Sequence, residues 1–289
     1  MPQDPSELKT MPLYRDVDRI YNELREAGLD GQGKLSAPDL ASFDQYHYHG
    51  TEAVDVAIDK LGINADSRIL EIGSGIGGPA RHLAATTGAQ VTALEIQQDL
   101  NDTALDLTQR CGLAEQVNHV CADALSFDPG EVRFDAIVSW LAFFHIEQRE
   151  TLLANCHAWL QQTGRIFVED LYARGEPTTA EKEDLAVLLY SRYLPNREQY
   201  ETDFQAAGFS SLQVRDMSDD WRQFTHDRYA DFCGARQRHE DVHGAAIVGA
   251  LDTFYGTVAR LFAQGNLGGL RVLASKQDPA HDSGVMIGN

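Results

Sequence analysis

The run Arg68-Ile-Leu-Glu-Ile-Gly-Ser-Gly-Ile-Gly-Gly78 concentrates the residues best suited to holding a small molecule. An apolar segment enters a turn containing Gly73, Ser74, Gly75 and Gly77, and helix-forming residues follow. Glycines in such a turn let a ligand lie against bare backbone, and the helix N-terminus beyond offers free N–H groups. With Gly78 counted, the spacing satisfies GxGxxG, so a nucleoside ligand is implied and NAD(P) competes with others for it. Three acids bear on that choice. Glu71, two residues before the first glycine, suits a ligand carrying an ammonium group better than a pyrophosphate. Glu95, with Ile96 after it, ends the next apolar run and can accept from both ribose hydroxyls, as it would in an NAD site. Asp123, followed by Ala124 just past a third run, can accept from an adenine amino group or cap a helix.

These residues need a scaffold, and the apolar runs supply one. Ser67–Ile72, Gln90–Ile96, Val117–Cys121, Phe134–Trp140 and Gly164–Leu171 are short and rich in Val, Ile and Leu. Between most of them lie helical stretches, Arg81–Thr87, Leu100–Cys111 and Arg149–Leu160. This alternation predicts a doubly wound, Rossmann-like α/β fold with a parallel sheet buried on both faces. Ahead of it stand a helix from Tyr14 to Ala27, a polar loop, and a helix from Glu52 to Leu61 capped by Thr51. Behind it come helices at Thr178–Tyr193 and Arg197–Ala207, the latter ended by Gly208, then a strand at Ser211–Met217. Asp227–Leu261 reads as mostly helical, Leu270–Ser275 as a last strand and the end of the chain as a frayed tail. The organisation is thus a cap or lid over residues 1–50, a nucleoside-binding domain over 51–276 with an acceptor lid inserted at about 172–262, and a tail over 277–289.

The ExGxGxGG motif from Glu71 to Gly78, an acid closing the next strand and Asp123 after the third resemble the class I S-adenosylmethionine (SAM)-dependent methyltransferases, across roughly residues 51–276. The resemblance implies a mostly parallel sheet with a late antiparallel strand, SAM as cofactor and S-adenosylhomocysteine (SAH) as product. It also implies that Gly73, Ser74, Gly75 and Gly77 back the amino-acid portion of SAM, with Glu71 ordering that loop or meeting the ammonium. Glu95 and Ile96 would hold the ribose, Asp123 and Ala124 the adenine, and Ser139 would belong to the same site.

Ser139-Trp-Leu-Ala-Phe-Phe-His145 and the late Phe262-Ala-Gln-Gly-Asn-Leu-Gly-Gly269 are similar to small-molecule N-methyltransferases of the sarcosine/dimethylglycine and phosphoethanolamine type. That similarity implies a catalytic or substrate-binding role for His145, while Leu141 stands where those amine enzymes often carry a carboxylate or amide. In related enzymes the stretch equivalent to Gln45–His49 closes over the SAM pocket, which makes Tyr46 and His47 catalytic candidates and Gln45 a substrate contact. Glu169, Asp170 and Tyr172 should line the same sheet edge. Tyr190, Arg192, Tyr193, Trp221, Arg222 and His226 come from the inserted lid, with Arg192 and Arg222 suited to an acceptor carboxylate. The expected activity is methylation of a small molecule, first an amine or amino-acid nitrogen giving a betaine-type product. A sulfur, oxygen or carbon acceptor, a non-catalytic SAM-binding protein and an NAD(P)-dependent oxidoreductase remain alternatives; no Tyr-x-x-x-Lys pair supports the last.

Composition excludes other classes. The 289 residues carry 24 Lys+Arg against 44 Asp+Glu, a formal charge of −20. Such a surface repels nucleic acid and anionic membranes and suits a protein in salty surroundings. Cys111, Cys121, Cys156 and Cys233 show no metal-ligand or disulfide spacing, so no metal and a reducing cytoplasm are expected. No apolar stretch reaches membrane-spanning length, and the N-terminus lacks a signal-peptide pattern. A monomer or homodimer is expected.

Overall fold

The computed structural model describes residues 8–29 and 33–276; the tail expected at 277–289 lies outside the described residues. The core elements are β1 (Arg68–Ile72), β2 (Gln90–Glu95), β3 (Val117–Cys121), β4 (Phe134–Trp140), β5 (Leu160–Ala173), β6 (Ser210–Asp216) and β7 (Leu267–Ser275). They form one sheet in the order β3-β2-β1-β4-β5-β7-β6. β1 to β5 pair in parallel, and β7 runs antiparallel to both β5 and β6. The late antiparallel strand is therefore β7, and the fold class matches the sequence expectation.

Alternation along the strands explains the two covered faces. On one face Ile69, Val91, Ala136, Val138 and Phe167 meet helices α4 (Gly50–Leu61) and α5 (Gly78–Thr87) through Val54, Ala57, Leu83 and Ala84. On the other, Leu70, Ile72, Leu94, Ile137, Ile166 and Val168 meet α7 (Arg149–Trp159) and α9 (Arg197–Ala206) through Leu153, Cys156, Tyr200 and Phe204. Each fully buried Leu, Ile or Phe contributes about 1.5–3 kcal/mol relative to exposure, so both faces weigh heavily in the stability.

Two peripheral layers lie over the C-terminal edge of the sheet. The N-terminal cap consists of α1 (Pro12–Arg15), α2 (Arg19–Glu26) and α3 (Ala37–Leu40). Ile20, Leu24, Leu35 and Leu40 pack on Ile76 and on Leu100 and Leu107 of α6 (Gln98–Arg110). The expected Tyr14–Ala27 helix is broken around Asp16-Val17-Asp18. Nor does Thr51 cap α4: His49 occupies the cap position with φ 59°, and Gly50 starts the helix. The lid comprises α8 (Thr179–Leu188), α10 (Ser218–Gly234), α11 (Arg236–His243) and α12 (Ala245–Gln264). α8 stops well short of Tyr193 because Tyr190 takes a left-handed conformation, φ 52°. Cap and lid meet where Arg238 and His243 of α11 engage Glu23 of α2, His243 Nε2 at 2.8 Å. Contrary to the sequence expectation, α12 is long and apolar enough to cross a membrane by length and composition. Here it uses that apolarity to pack Phe254, Val258, Leu261 and Phe262 against Tyr48, Leu171 and Trp221.

Candidate active site

The glycine turn opens the site. Gly73, Gly75 and Gly77 have φ of 76°, 53° and 79°, the left-handed region that glycine enters without strain. At Gly73 a side chain would also collide with Ala142, which follows β4, so this glycine lets two loops close on each other. At Gly77 a Cβ would come within 2.6 Å of the His119 ring on β3, so the turn sits tight against that strand. Gly75 has open space beside it and faces the cavity.

Glu95 fixes the turn's shape. Its Oε2 accepts from the Gly75 N–H at 2.8 Å and its Oε1 from the Gln97 N–H at 2.9 Å. Asp123 accepts from the Leu125 N–H at 2.8 Å, closing a turn with no helix after it to cap, and it lines the cavity. Glu71 is buried beneath the turn; burial first, and the nearby Glu95 charge next against it, push its carboxyl up to about 8 despite Arg81. Around the same turn Glu71 Oε2, Ser74 Oγ and Gln97 Oε1 are buried without hydrogen-bond partners. These orphaned atoms, with the open face at Gly75, fit a polar nucleoside carrying an ammonium group.

The Glu71 shift has a measurable consequence. Between about pH 4.5 and 8 the folded carboxyl holds a proton that the unfolded chain has released, so this group's share of stability falls as pH rises through that window. At pH 7 an ammonium docking beside Glu71 should therefore expel close to one proton. Calorimetric titration with SAH in buffers of different ionisation enthalpy should show that release in the wild type and not in Glu71→Gln. Equal heats in all buffers would remove Glu71 from the ammonium contact.

A cavity of about 310 Å³ runs from the turn along the sheet edge under cap and lid. Among the residues singled out from sequence, it gathers Glu71, Gly73, Ser74, Gly75, Glu95, Ile96, Asp123, Ala124, Tyr46, His47 and His145. Others stand elsewhere. Gly77 lies behind the turn, and Ser139 is buried in β4, donating to the Ile72 carbonyl at 2.9 Å. Gln45 donates to Asp44 at 2.8 Å beside Gly78. Tyr172 is core, its hydroxyl donating to Asp216 at 3.1 Å, so it is no lining residue of this cavity. Arg192 and Tyr193 line a second, separate cavity with Lys182 and Arg174, and Arg222 pairs with Asp219 on the surface. Of the expected sheet-edge acids, Glu169 is held by Arg271 at 2.6 Å and Asp170 accepts from Tyr200 in the core. The cavity also takes residues that sequence reading did not select, Trp140, Tyr14, Tyr48, Leu171, Arg228, Phe254 and Val258 among them.

His145 ends a short 3₁₀ turn, Phe143–His145, after β4. Its Nδ1 stands 3.5 Å from the Tyr190 carbonyl, which favours the proton on that nitrogen. Its Nε2 is buried without a partner. Burial lowers its pKa to about 4, so the ring is neutral at physiological pH with a lone pair available at Nε2. His47 is likewise lowered to about 4 by burial, but its Nε2 donates to the Gly50 carbonyl at 2.9 Å.

Comparison with known proteins fits this architecture. Residues 69–164 match the family model described as a methyltransferase domain. The chain is 27% identical over 188 residues to methyltransferase GfsG of Streptomyces halstedii, covering 64% of this chain and 68% of that one. It is 27% identical over 177 residues to a phosphoethanolamine N-methyltransferase of Plasmodium falciparum, 60% and 65% respectively. With the glycine/sarcosine/dimethylglycine N-methyltransferase of Actinopolyspora halophila it shares 25% over 163 residues, 55% of this chain and 28% of that one. Among solved structures, phosphoethanolamine N-methyltransferase 2 of Haemonchus contortus, complexed with SAH and phosphomonomethylethanolamine, superposes with a TM-score of 0.76 at 20% identity, over 81% of this chain and 55% of that one. The matched stretches thus span about two thirds of the first two relatives and much less of the third. The findings agree on one class: residues 69–164 match a methyltransferase domain, and the fold is shared with SAH-bound methyltransferases.

Proposed function

We propose that the protein transfers a methyl group from SAM to a small-molecule acceptor bound beside His145. The observation that supports this best is the single cavity joining the glycine turn and Glu95 to the unpartnered Nε2 of His145. SAM supplies, when bound, an electrophilic methyl on a sulfonium. Gly73–Gly75, Glu71, Glu95 and Asp123 would hold it, while Tyr46, His47 and Tyr48 shield the site from water. His145 would take the proton that the acceptor sheds.

The test is direct. Labelled SAM should be consumed only when an acceptor is present, with SAH formed in equal amount; SAM bound but never turned over on any acceptor would leave a binding protein. His145→Ala should lower kcat by about 10²–10⁴ with SAH affinity unchanged. In the wild type kcat should show no break near pH 6.5, because the ring is already neutral there. An amine or amino-acid nitrogen as acceptor is favoured by relatives whose names state that chemistry. The cavity walls favour oxygen or carbon instead.

A further inference from the structure

We infer that the acceptor is an uncharged hydroxyl carried on an apolar body; this rests on the methyltransferase reading and names its substrate class. The end of the cavity beyond the turn is walled by Met11, Leu13, Phe144, Leu171, Phe254 and Val258, all members of one apolar cluster. The lining acids are Asp44, Glu71, Glu95 and Asp123, and each sits on the cofactor side. Asp44 is already committed to Arg81 at 2.8 Å, and Glu95 to the turn itself. No carboxylate among the described lining residues therefore faces the acceptor end to balance an ammonium.

Tyrosine faces can hold a cation without a carboxylate, and this cavity has several. Two of those faces are taken. The Arg19 guanidinium lies 5.7 Å from the centre of the Tyr46 ring, and Arg228 lies 5.0 Å from that of Tyr48. Arg228, which also lines the cavity, further stacks near Phe224 and Tyr255 at 5.1 and 5.2 Å. An incoming ammonium would meet like charge at both places. For a phosphate ester, Arg228 is the one arginine or lysine among the described lining residues, and its three ring contacts leave no bidentate cradle.

Leu141 points the same way. It holds φ 54°, a conformation that Asn and Asp tolerate and leucine disfavours, yet it places an apolar side chain on the cavity wall. The base agrees with the acceptor. An ammonium has no free lone pair until its proton has left, and a histidine lowered to about 4 is too weak to remove that proton beforehand. A hydroxyl oxygen has a lone pair throughout: it forms the O–C bond while the C–S pair returns to sulfur, and its proton passes to His145 Nε2 as it becomes acidic. One positive charge is lost from sulfur and one appears on the imidazole, so the apolar cavity carries the same charge before and after.

Binding to the full chain saturated with SAH separates the possibilities, with SAH binding itself measured first. Under that condition 4-butylphenol should bind with a Kd of about 1 mM or tighter, while sarcosine and phosphoethanolamine should not bind. In a separate assay with labelled SAM in place of SAH, labelled methyl should appear on the phenol oxygen, and His145→Gln should lower that transfer by about 10²–10⁴ while leaving SAH binding unchanged. Leu141→Asp, whose backbone suits aspartate, should weaken the phenol at least about tenfold by putting a charge on the apolar wall. Binding and methylation of sarcosine or phosphoethanolamine, or binding of no probe at all, would overturn the inference while SAH binding leaves the cofactor reading standing. Failure of SAH to bind would overturn both.

Discussion

Replacing Arg81 with methionine is expected to destabilise the fold by about 3–5 kcal/mol, the loss typical when one partner of a buried ion pair is removed. Arg81 and Asp44 are both buried, with side-chain exposures of 0% and 1%, and their 2.8 Å contact joins α5 to the loop that leads into Gln45–His49. Arg81 also donates to Thr108 Oγ1 at 3.2 Å, and Thr108 in turn bonds His119 at 2.8 Å, so three elements share this centre. Burial already pushes the Asp44 carboxyl upward against the pull of Arg81. Without the guanidinium that carboxyl must ionise alone in the interior or stay protonated. The variant should consequently be least affected at acid pH and lose more stability as pH rises through the raised Asp44 value. Urea unfolding at two pH values measures this. Adding Asp44→Asn to Arg81→Met should restore part of the stability, since removing both charges also removes the stranded one. Equal stability of Arg81→Met and the wild type at neutral pH would show that the pair does not hold the cap loop.

Glu95→Ala is expected to weaken SAH binding by at least about 100-fold, with a far smaller effect on folding. Its two oxygens hold the Gly75 and Gln97 N–H groups, each a charge-assisted bond of roughly 1.5–3 kcal/mol. Burial raises the Glu95 carboxyl, so deleting it also relieves a desolvated acid, and the two effects on stability oppose each other. The turn then loses its tie at Gly75, and the ribose would lose the acceptor we propose for it. Asp123→Ala removes a single turn-closing bond from the Leu125 N–H and should cost binding less. Calorimetric titration with SAH, alongside urea unfolding of each variant, separates affinity from stability. An unchanged Kd in Glu95→Ala would remove this residue from the cofactor site.

The strands and the turn were legible because local rules govern them. Val117–Cys121 and Phe134–Trp140 form as the apolar runs predict, and the positive φ values fall on the glycines that spacing marked. What the sequence concealed was parity at the strand ends and contacts between distant elements. Ser139 and Tyr172 were expected at the site, yet their neighbours Trp140 and Leu171 line the cavity. Side chains on a strand alternate faces, so each difference is a displacement of one residue, which the alternation with Val138 and Phe167 carries. Arg192, Tyr193 and Arg222 were selected by residue type from the inserted region, but lid geometry sends them to other surfaces. Arg228, Phe254 and Val258 come from helices that no local signal orients toward the cavity. Tyr14 reaches it only because the expected N-terminal helix breaks before Arg19.

The most direct measurement of the central claim is calorimetric titration of the full chain with SAH and, separately, with NAD. SAH should bind at a single site, release close to one proton at pH 7 through Glu71, and lose at least about 100-fold in affinity in Glu95→Ala; NAD should give no saturable heat. Saturable binding of NAD with none of SAH would contradict the account.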